Sequence, residues 1–213
     1  MSVLTNNQWE ILKDILKSRG SVKRYDTNYE LPTGELEEIL EAASLAPSSW
    51  NLQHWRFMVF QGKDEQEELA KLAYNQPQVS ESSAVVAILG DLRADLVAEH
   101  VFSPVKEAGF LTEEAYQNLI NNISVTYQDD RRARDEAFLN ASLAAMQLML
   151  TAKAKGLDTC PIGGFDRSGF IEKYQVDERY APVMLISIGK PAEPARPSSR
   201  MKLDQLILPK GKN

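Results

Sequence analysis

The chain has 213 residues, 43% of them hydrophobic and 25% charged, which suits one sizeable core and one domain better than two. Its 30 acidic residues outnumber 24 basic ones for a net charge of −6, so it lacks the basic field that a non-specific nucleic-acid or anionic-membrane surface requires. One Cys cannot form an internal disulfide, the two His stand far apart, and neither a signal peptide nor a membrane-length apolar run occurs, so a soluble, cytoplasmic, zinc-free protein is expected.

Trp9, Leu12, Ile15 and Leu16 recur at helical spacing and predict a first helix over 7–18, closed by Lys17, Ser18 and Arg19 and stopped by Gly20. Beyond Gly20 the chain is expected to be extended, so that Ser21 and Lys23 share one side and Arg24 takes the other, with Arg19 able to reach the first. Two cations and a hydroxyl so arranged match the acceptor oxygens of a phosphate monoester. The same residues also read as a cation on a helix C-terminal dipole followed by solvated side chains.

After Pro32, TGELEEILEAASLAP sets Leu36, Ile39, Leu40 and Ala43 on one side of a second helix. The loop APSSWNLQHW, 46–55, has no period. Asn51 and Gln53 can donate and accept together, as the edge of a planar heterocycle demands, and Trp50 and Trp55 could frame a flat ligand. The alternative places Trp55 in the core, uses Ser48 or Ser49 to satisfy a turn, and leaves the amides exposed.

RFMVFQG, 56–62, reads as a strand and DEQEELAKLA, 64–73, as a short helix; Asn75 and Gln78 in YNQPQ read as loop polars. SSAVVAILGD, 82–91, is apolar on consecutive residues, the pattern of a strand covered on both faces. Residues 95–131 are less regular, with LTEEAYQNLINNI as one solvent-side helix in a flap. The strongest helix, 134–156, is apolar around almost its whole circumference from Ala137 to Ala152, which predicts burial, and Ala141, Ala144 and Ala145 allow close backbone approach. DTCPIGGFD reads as a loop whose backbone N–H groups are opened by Gly163 and Gly164, and Cys160 as a small buried hydrophobe. SGFIEKYQ is a short helix, APVMLISIGKP, 181–191, a third buried strand, and the tail carries Arg196 and Arg200 around PSS, a second basic cluster that could converge with the first.

HExxH, GxSxG, GxGxxG, the GxxxxGK[ST] phosphate loop and the EF-hand loop are all missing, so enzymatic chemistry would reside in a bound cofactor rather than in side chains. SRGSVKRYD, LEAASLAPSSWNLQHWRFMVF, YNQPQVSESSAVVAI, the Ala-rich helix, PIGGFD, APVMLISIGKP and RPSSRMKLDQLI, in that order over nearly the whole chain, resemble the flavin-dependent nitroreductase family.

The resemblance implies an α+β, three-layer fold with a central mixed or antiparallel sheet flanked by helices. It implies one domain over 1–213, with a flap-like segment at about 99–127 and a tail at about 190–213. It further implies an intertwined, obligate homodimer with FMN built in from both chains. Arg19, Gly20, Ser21 and Lys23 would hold the flavin phosphate or ribityl chain, with Ser198 and Arg200 closing over the phosphate. Family members often have a basic residue at position 198, so Ser198 shifts that task to Arg19 and Arg200. Asn75 and Gln78 would contact the polar side of the ring; a basic residue is frequent at 78. Pro161, Ile162, Gly163 and Gly164 would lie along one ring face, with Gly163 where some members are acidic. Pro47, Ser48, Ser49, Asn51 and Gln53 would come from the other subunit.

The implied reaction passes electrons from NADH or NADPH through FMN to a nitroaromatic, quinone or related flat acceptor by a ping-pong route, with no catalytic side chain and no metal. The alternatives are a specialised reductive or oxidative flavoenzyme of the same fold, or a flavin-binding regulatory protein with little turnover. No nucleic-acid or membrane partner is expected.

Overall fold

A computed structural model describes residues 6–209. Its sheet consists of β1 (Trp55–Phe60), β2 (Ala84–Asp91), β3 (Asp158–Ile162) and β4 (Tyr180–Gly189), in the spatial order β1-β2-β4-β3, every neighbouring pair antiparallel. The one parallel element is an isolated bridge between Ser21 and Thr159. All eight residues of β2 are buried, and the period-two alternation of a strand divides them between two cores. Ala84, Val86 and Ile88 face α2 (Thr33–Ala43) and α7 (Asp130–Ala154), packing with Leu36, Ile39, Ala144 and Leu148. Val85, Ala87 and Leu89 face α3 (Lys63–Leu72) and α8 (Arg167–Tyr174), packing with Leu69 and Phe170. The result is the expected three layers.

The small residues of α7 permit close contact: a Cβ added to Gly90 of β2 would stand 3.0 Å from the carbonyl oxygen of Ala137. The expectation that α7 is buried all round holds for one face only. Ala137, Ala141, Ala144, Ala145, Leu148 and Ala152 are buried, whereas Leu139, Leu143 and Met146 are 59%, 41% and 38% exposed in the single chain. α1 (Asn6–Ser18) likewise turns Trp9, Leu12 and Leu16 outward, and it packs beside α7.

Three expectations from sequence change. Residues 158–162 form an edge strand rather than a loop; Pro161, lacking an N–H, is tolerated there because an edge strand need not donate from every residue. The flap contains two helices rather than one, α5 (Ala98–Glu107) and α6 (Glu113–Thr126), and α6 buries Tyr116 and Ile123. The helix starting at 134 by its apolar period begins four residues earlier, at Asp130, because Asp129 caps it by accepting from the N–H groups of Arg131 and Arg132. The remaining helices are the short α4 (Pro77–Glu81) and α9 (Leu203–Leu206). No helix of the described residues is long and apolar enough to cross a membrane, and no His, Cys, Asp and Glu group among them could hold a metal ion.

The sheet is locked at the end of β2 by Asp91, which is fully buried. Arg179 donates to it from Nε and Nη2, each at 2.7 Å, and Arg56 Nη2 adds a third bond at 3.2 Å. A buried carboxylate that satisfies two guanidinium groups is costly to remove, because the cations then lose their only compensation at that point. Asp91→Ala is therefore expected to lower the free energy of unfolding by about 3–5 kcal/mol, read from urea denaturation, with β1, β2 and β4 losing their common anchor.

Candidate functional site

The edge of β3 gathers segments distant in sequence. Val22 donates its N–H to the Thr159 carbonyl at 3.1 Å, and Lys23 Nζ lies 3.3 Å from Cys160 Sγ across 137 residues of chain. Val22 and Tyr25 are buried, and Ser21, Lys23 and Arg24 are left exposed. Tyr25 pins the segment from below by hydrogen-bonding the Ser187 carbonyl and hydroxyl, at 3.2 and 3.0 Å; burial raises its phenol far above the ordinary range. Arg24 is occupied by an ion pair with Glu81 at 3.0 Å. Arg19 and Lys23 have no carboxylate partner among the described residues, so they remain available to an external anion.

The tail reaches this segment. Asp26 N–H donates to the Lys190 carbonyl and Ala192 N–H to the Arg24 carbonyl, at 2.9 and 3.0 Å. A Cβ on Gly20 would collide with that of Ala195, so glycine is required where the tail crosses. A cleft of about 160 Å³ lies here between Lys23, Arg24, Glu193, Pro194 and Arg196. The two basic clusters thus converge through Arg196. Arg200 is exposed and bonds within its own segment, from Nη1 to Ser198 Oγ at 2.8 Å and to the Ser199 carbonyl at 3.0 Å.

Beyond Ile162 the chain opens at Gly163 and Gly164, where an added Cβ would have no atom within 4 Å. Pro161 is half-buried and Ile162 is buried beneath this opening. Gln76, which sequence reasoning missed, donates from Nε2 to the Gly164 carbonyl at 2.8 Å, and its Oε1 accepts from Gln78 Nε2 at 2.8 Å. Gln78 is buried, so its amide is held behind Gln76, whereas Asn75 is exposed in a left-handed conformation with φ of 53°. Ser21, Lys23, Pro161, Gly163, Gly164 and Gln76 therefore line one strip along the β3 edge, with Asn75 preceding Gln76 in the chain. From Thr159 to Gly164 it runs about 16 Å at the usual strand rise.

The segment Pro47–Gln53 lies elsewhere. It leads into β1, on the opposite edge of the sheet, three strand spacings or about 14 Å from β3. Trp50, Asn51 and Gln53 all have positive φ, 50°, 54° and 50°, a strained state for residues with a Cβ that persists only when its surroundings enforce it. The enforcement is visible. Ser49 N–H donates to Asn140 Oδ1 at 2.9 Å and Ser49 Oγ to Glu136 Oε2 at 2.6 Å; Gln53 N–H donates to Ser48 Oγ at 3.0 Å. Trp55 is buried in the main core and frames no ligand, and Ser48 does satisfy a turn. Pro47, Asn51 and Gln53 are exposed.

Leu52 from this loop joins Ala98, Ile123, Tyr127 and Ala133 in a third core separate from the other two, with Trp50 and Phe102 packed against it. The loop and the flap are consequently one packed unit. His54 and Tyr127 seal it: both are buried, and His54 Nε2 stands 2.5 Å from the Tyr127 hydroxyl. Burial pushes the His54 imidazole down to about 4 and the Tyr127 phenol up, so the pair is neutral at ordinary pH. Glu136, Asn140, His54 and Tyr127 carry no functional signal in the sequence: His54 stands in the loop 46–55 and Glu136 and Asn140 in the long helix, but nothing there marks them as partners.

Residues 16–190 match the pattern that defines the Nitroreductase family. YodC of Bacillus subtilis, provisionally named an NAD(P)H nitroreductase, is 54% identical over 193 residues, 91% of this chain and 96% of that protein. A solved structure from Exiguobacterium sibiricum, provisionally named a nitroreductase and in complex with FMN, matches with a TM-score of 0.85 at 37% identity, covering 98% of this chain and 99% of the other. The CLA biosynthesis enone reductase of Lactiplantibacillus plantarum is 33% identical over 195 residues, 89% of this chain and 88% of that protein.

The lowered His54 value has a definite linkage. Between the ordinary 6.5 and about 4, the unfolded chain binds a proton at this site that the folded chain refuses. Stability is therefore fully present above that window and falls by about 3 kcal/mol as pH drops through it. Urea midpoints measured across the window are expected to fall less steeply in His54→Gln than in the unaltered protein, the shared carboxylate titrations cancelling in the comparison.

Proposed function

Because the chain belongs to the nitroreductase family, we propose that it binds FMN along the β3 edge and uses it to carry electrons from NADH or NADPH to flat, electron-poor acceptors. The observation that carries this reading is the order of groups along the strip. Lys23, which with Arg19 four residues earlier has no acidic partner among the described residues, stands at one end, and the open Gly163–Gly164 backbone with the Gln76 amide, next to Asn75, stands at the other. A phosphorylated chain ending in a planar ring has the same sequence of needs: charge compensation first, then a face free of side chains.

FMN, when bound, would supply the hydride and electron-transfer chemistry, so no amino-acid nucleophile would be needed. The chain's residues position, neutralise and exclude. Arg19, Ser21 and Lys23, with the tail's Ser198 and Arg200, would meet the phosphate. Gly163 and Gly164 let the backbone come close, where a Cβ would stand in the way. The loop of Pro47, Ser48, Ser49, Asn51 and Gln53 would face the ring from a second copy of the chain, because within one chain it lies on the wrong edge of the sheet.

That arrangement requires a homodimer. The exposed apolar stripe of Leu139, Leu143 and Met146 on α7, continued by Trp9, Leu12 and Leu16 on the neighbouring α1, is the surface proposed to form it. A small-molecule acceptor would then enter beneath the flap of residues 99–127. Nitroaromatics and quinones fit that description, and the enone reductase among the relatives adds α,β-unsaturated carbonyls to the class to be tried.

The purified protein is expected to be yellow, and anaerobic NADH or NADPH to bleach it. Bleaching by neither would favour a flavin-binding protein with little turnover. Arg19→Ala combined with Arg200→Ala is expected to abolish retained flavin while the dimer survives gel filtration; full FMN content would overturn the phosphate assignment. Leu143→Glu should yield monomers that lose flavin together with their partner, and a flavin-loaded monomer would overturn the two-chain site.

A further inference from the structure

The strained loop of residues 47–53 is held by a charged group for which the flavin reading gives no role. Glu136, on the second turn of α7, accepts a hydrogen bond from Ser49 Oγ at 2.6 Å and another from Asn140 Nδ2 at 3.1 Å. It is the only carboxylate hydrogen-bonded to this loop, and it has no cation within ion-pair distance among the described residues. Asn140 is buried and spends its amide on fixing both ends of the contact: its Oδ1 accepts from Ser49 N–H, and its Nδ2 also donates to the Glu136 carbonyl at 2.7 Å. The carboxylate is thus fixed in place, partly buried, and left uncompensated.

We propose that Glu136 is a positioning residue that also sets the reduction potential of the flavin, by holding a negative charge one hydroxyl away from the ring-facing loop. The inference rests on the flavin reading above. Ser49 gives its one hydroxyl proton to Glu136, so it can present only acceptor capacity to a ligand, which suits a ring N–H. Reduction adds negative charge to the ring, and a fixed anion nearby in a partly desolvated site opposes it. Positions 78 and 163 contribute an amide and a glycine, so neither supplies a charge that would mask the effect.

Three variants of the dimeric holoprotein separate charge from shape, with midpoint potential read against a reference dye. Glu136→Gln keeps the hydrogen-bonding outline and removes the charge. It is expected to retain FMN and to raise the potential, so that the reduced-to-oxidised ratio at a fixed dye poise rises about fivefold or more. Glu136→Ala should shift it in the same direction and serves if the amide variant fails to fold. Glu136→Asp keeps the charge, shortens the reach to Ser49, and should leave the potential near that of the unaltered protein. An unchanged potential in a flavin-loaded Gln or Ala variant overturns the proposal, as does an Asp variant that shifts as far as Gln. Unaltered protein that takes up no FMN overturns the flavin reading, and this inference with it.

Discussion

A strand buried on both faces can lie only inside a sheet that is itself covered on both sides, and β2 imposes that condition on the whole molecule. Its alternate residues feed two separate cores, so helices must cover the sheet above and below. Polar groups that are to meet a ligand are then driven to the sheet edges and to the loops at strand ends. β3 supplies one such edge and the approach to β1 the other. Asp91 secures the arrangement by tying residues of β1 and the start of β4 to the end of β2. What each edge presents differs in kind: cations and open backbone beside β3, and a rigid set of small polar residues ahead of β1.

Much of this is legible in the sequence. The three longer apolar features, β2, β4 and α7, announce themselves by period or by continuity, and Ser21 and Lys23 of the predicted fork lie exposed beside β3, with Arg19 half-buried ahead of them. β3 itself was not legible, because five residues containing Pro161 and followed by two glycines offer more signals for a loop than for a strand. The alternation of an extended chain already separates Arg24 from Lys23 in the sequence, but not what Arg24 does on its own side, where it pairs with Glu81, 57 residues away. Gln76 and Gln78 were indistinguishable by type. Which amide meets the glycine loop and which supports it from behind depends on a turn at Tyr74 and Asn75 that no periodicity reports.

The residues that hold the 47–53 loop were hidden for a related reason. Ser49 meets Glu136 and Asn140 across 87 and 91 positions, and His54 meets Tyr127 across 73. Each is an ordinary residue on a helix or beside one. Their importance comes from three left-handed backbone positions that would relax if released. Leu52 and Trp50 share a small core with the flap helices, so the loop and the flap are packed as one unit.

The crossing of the tail over Gly20 carries a consequence for biosynthesis. Val22 pairs with Thr159, and Arg24 pairs with Ala192, so the first basic segment acquires its final shape only once partners more than 130 residues further along the chain have been made. Synthesis proceeds from the N-terminus, yet this N-terminal segment is among the last parts to be completed. A folding chain can thus complete its helices and inner strands before this segment is fixed, because the partners that shape it, Thr159 and Ala192, lie far beyond it in sequence.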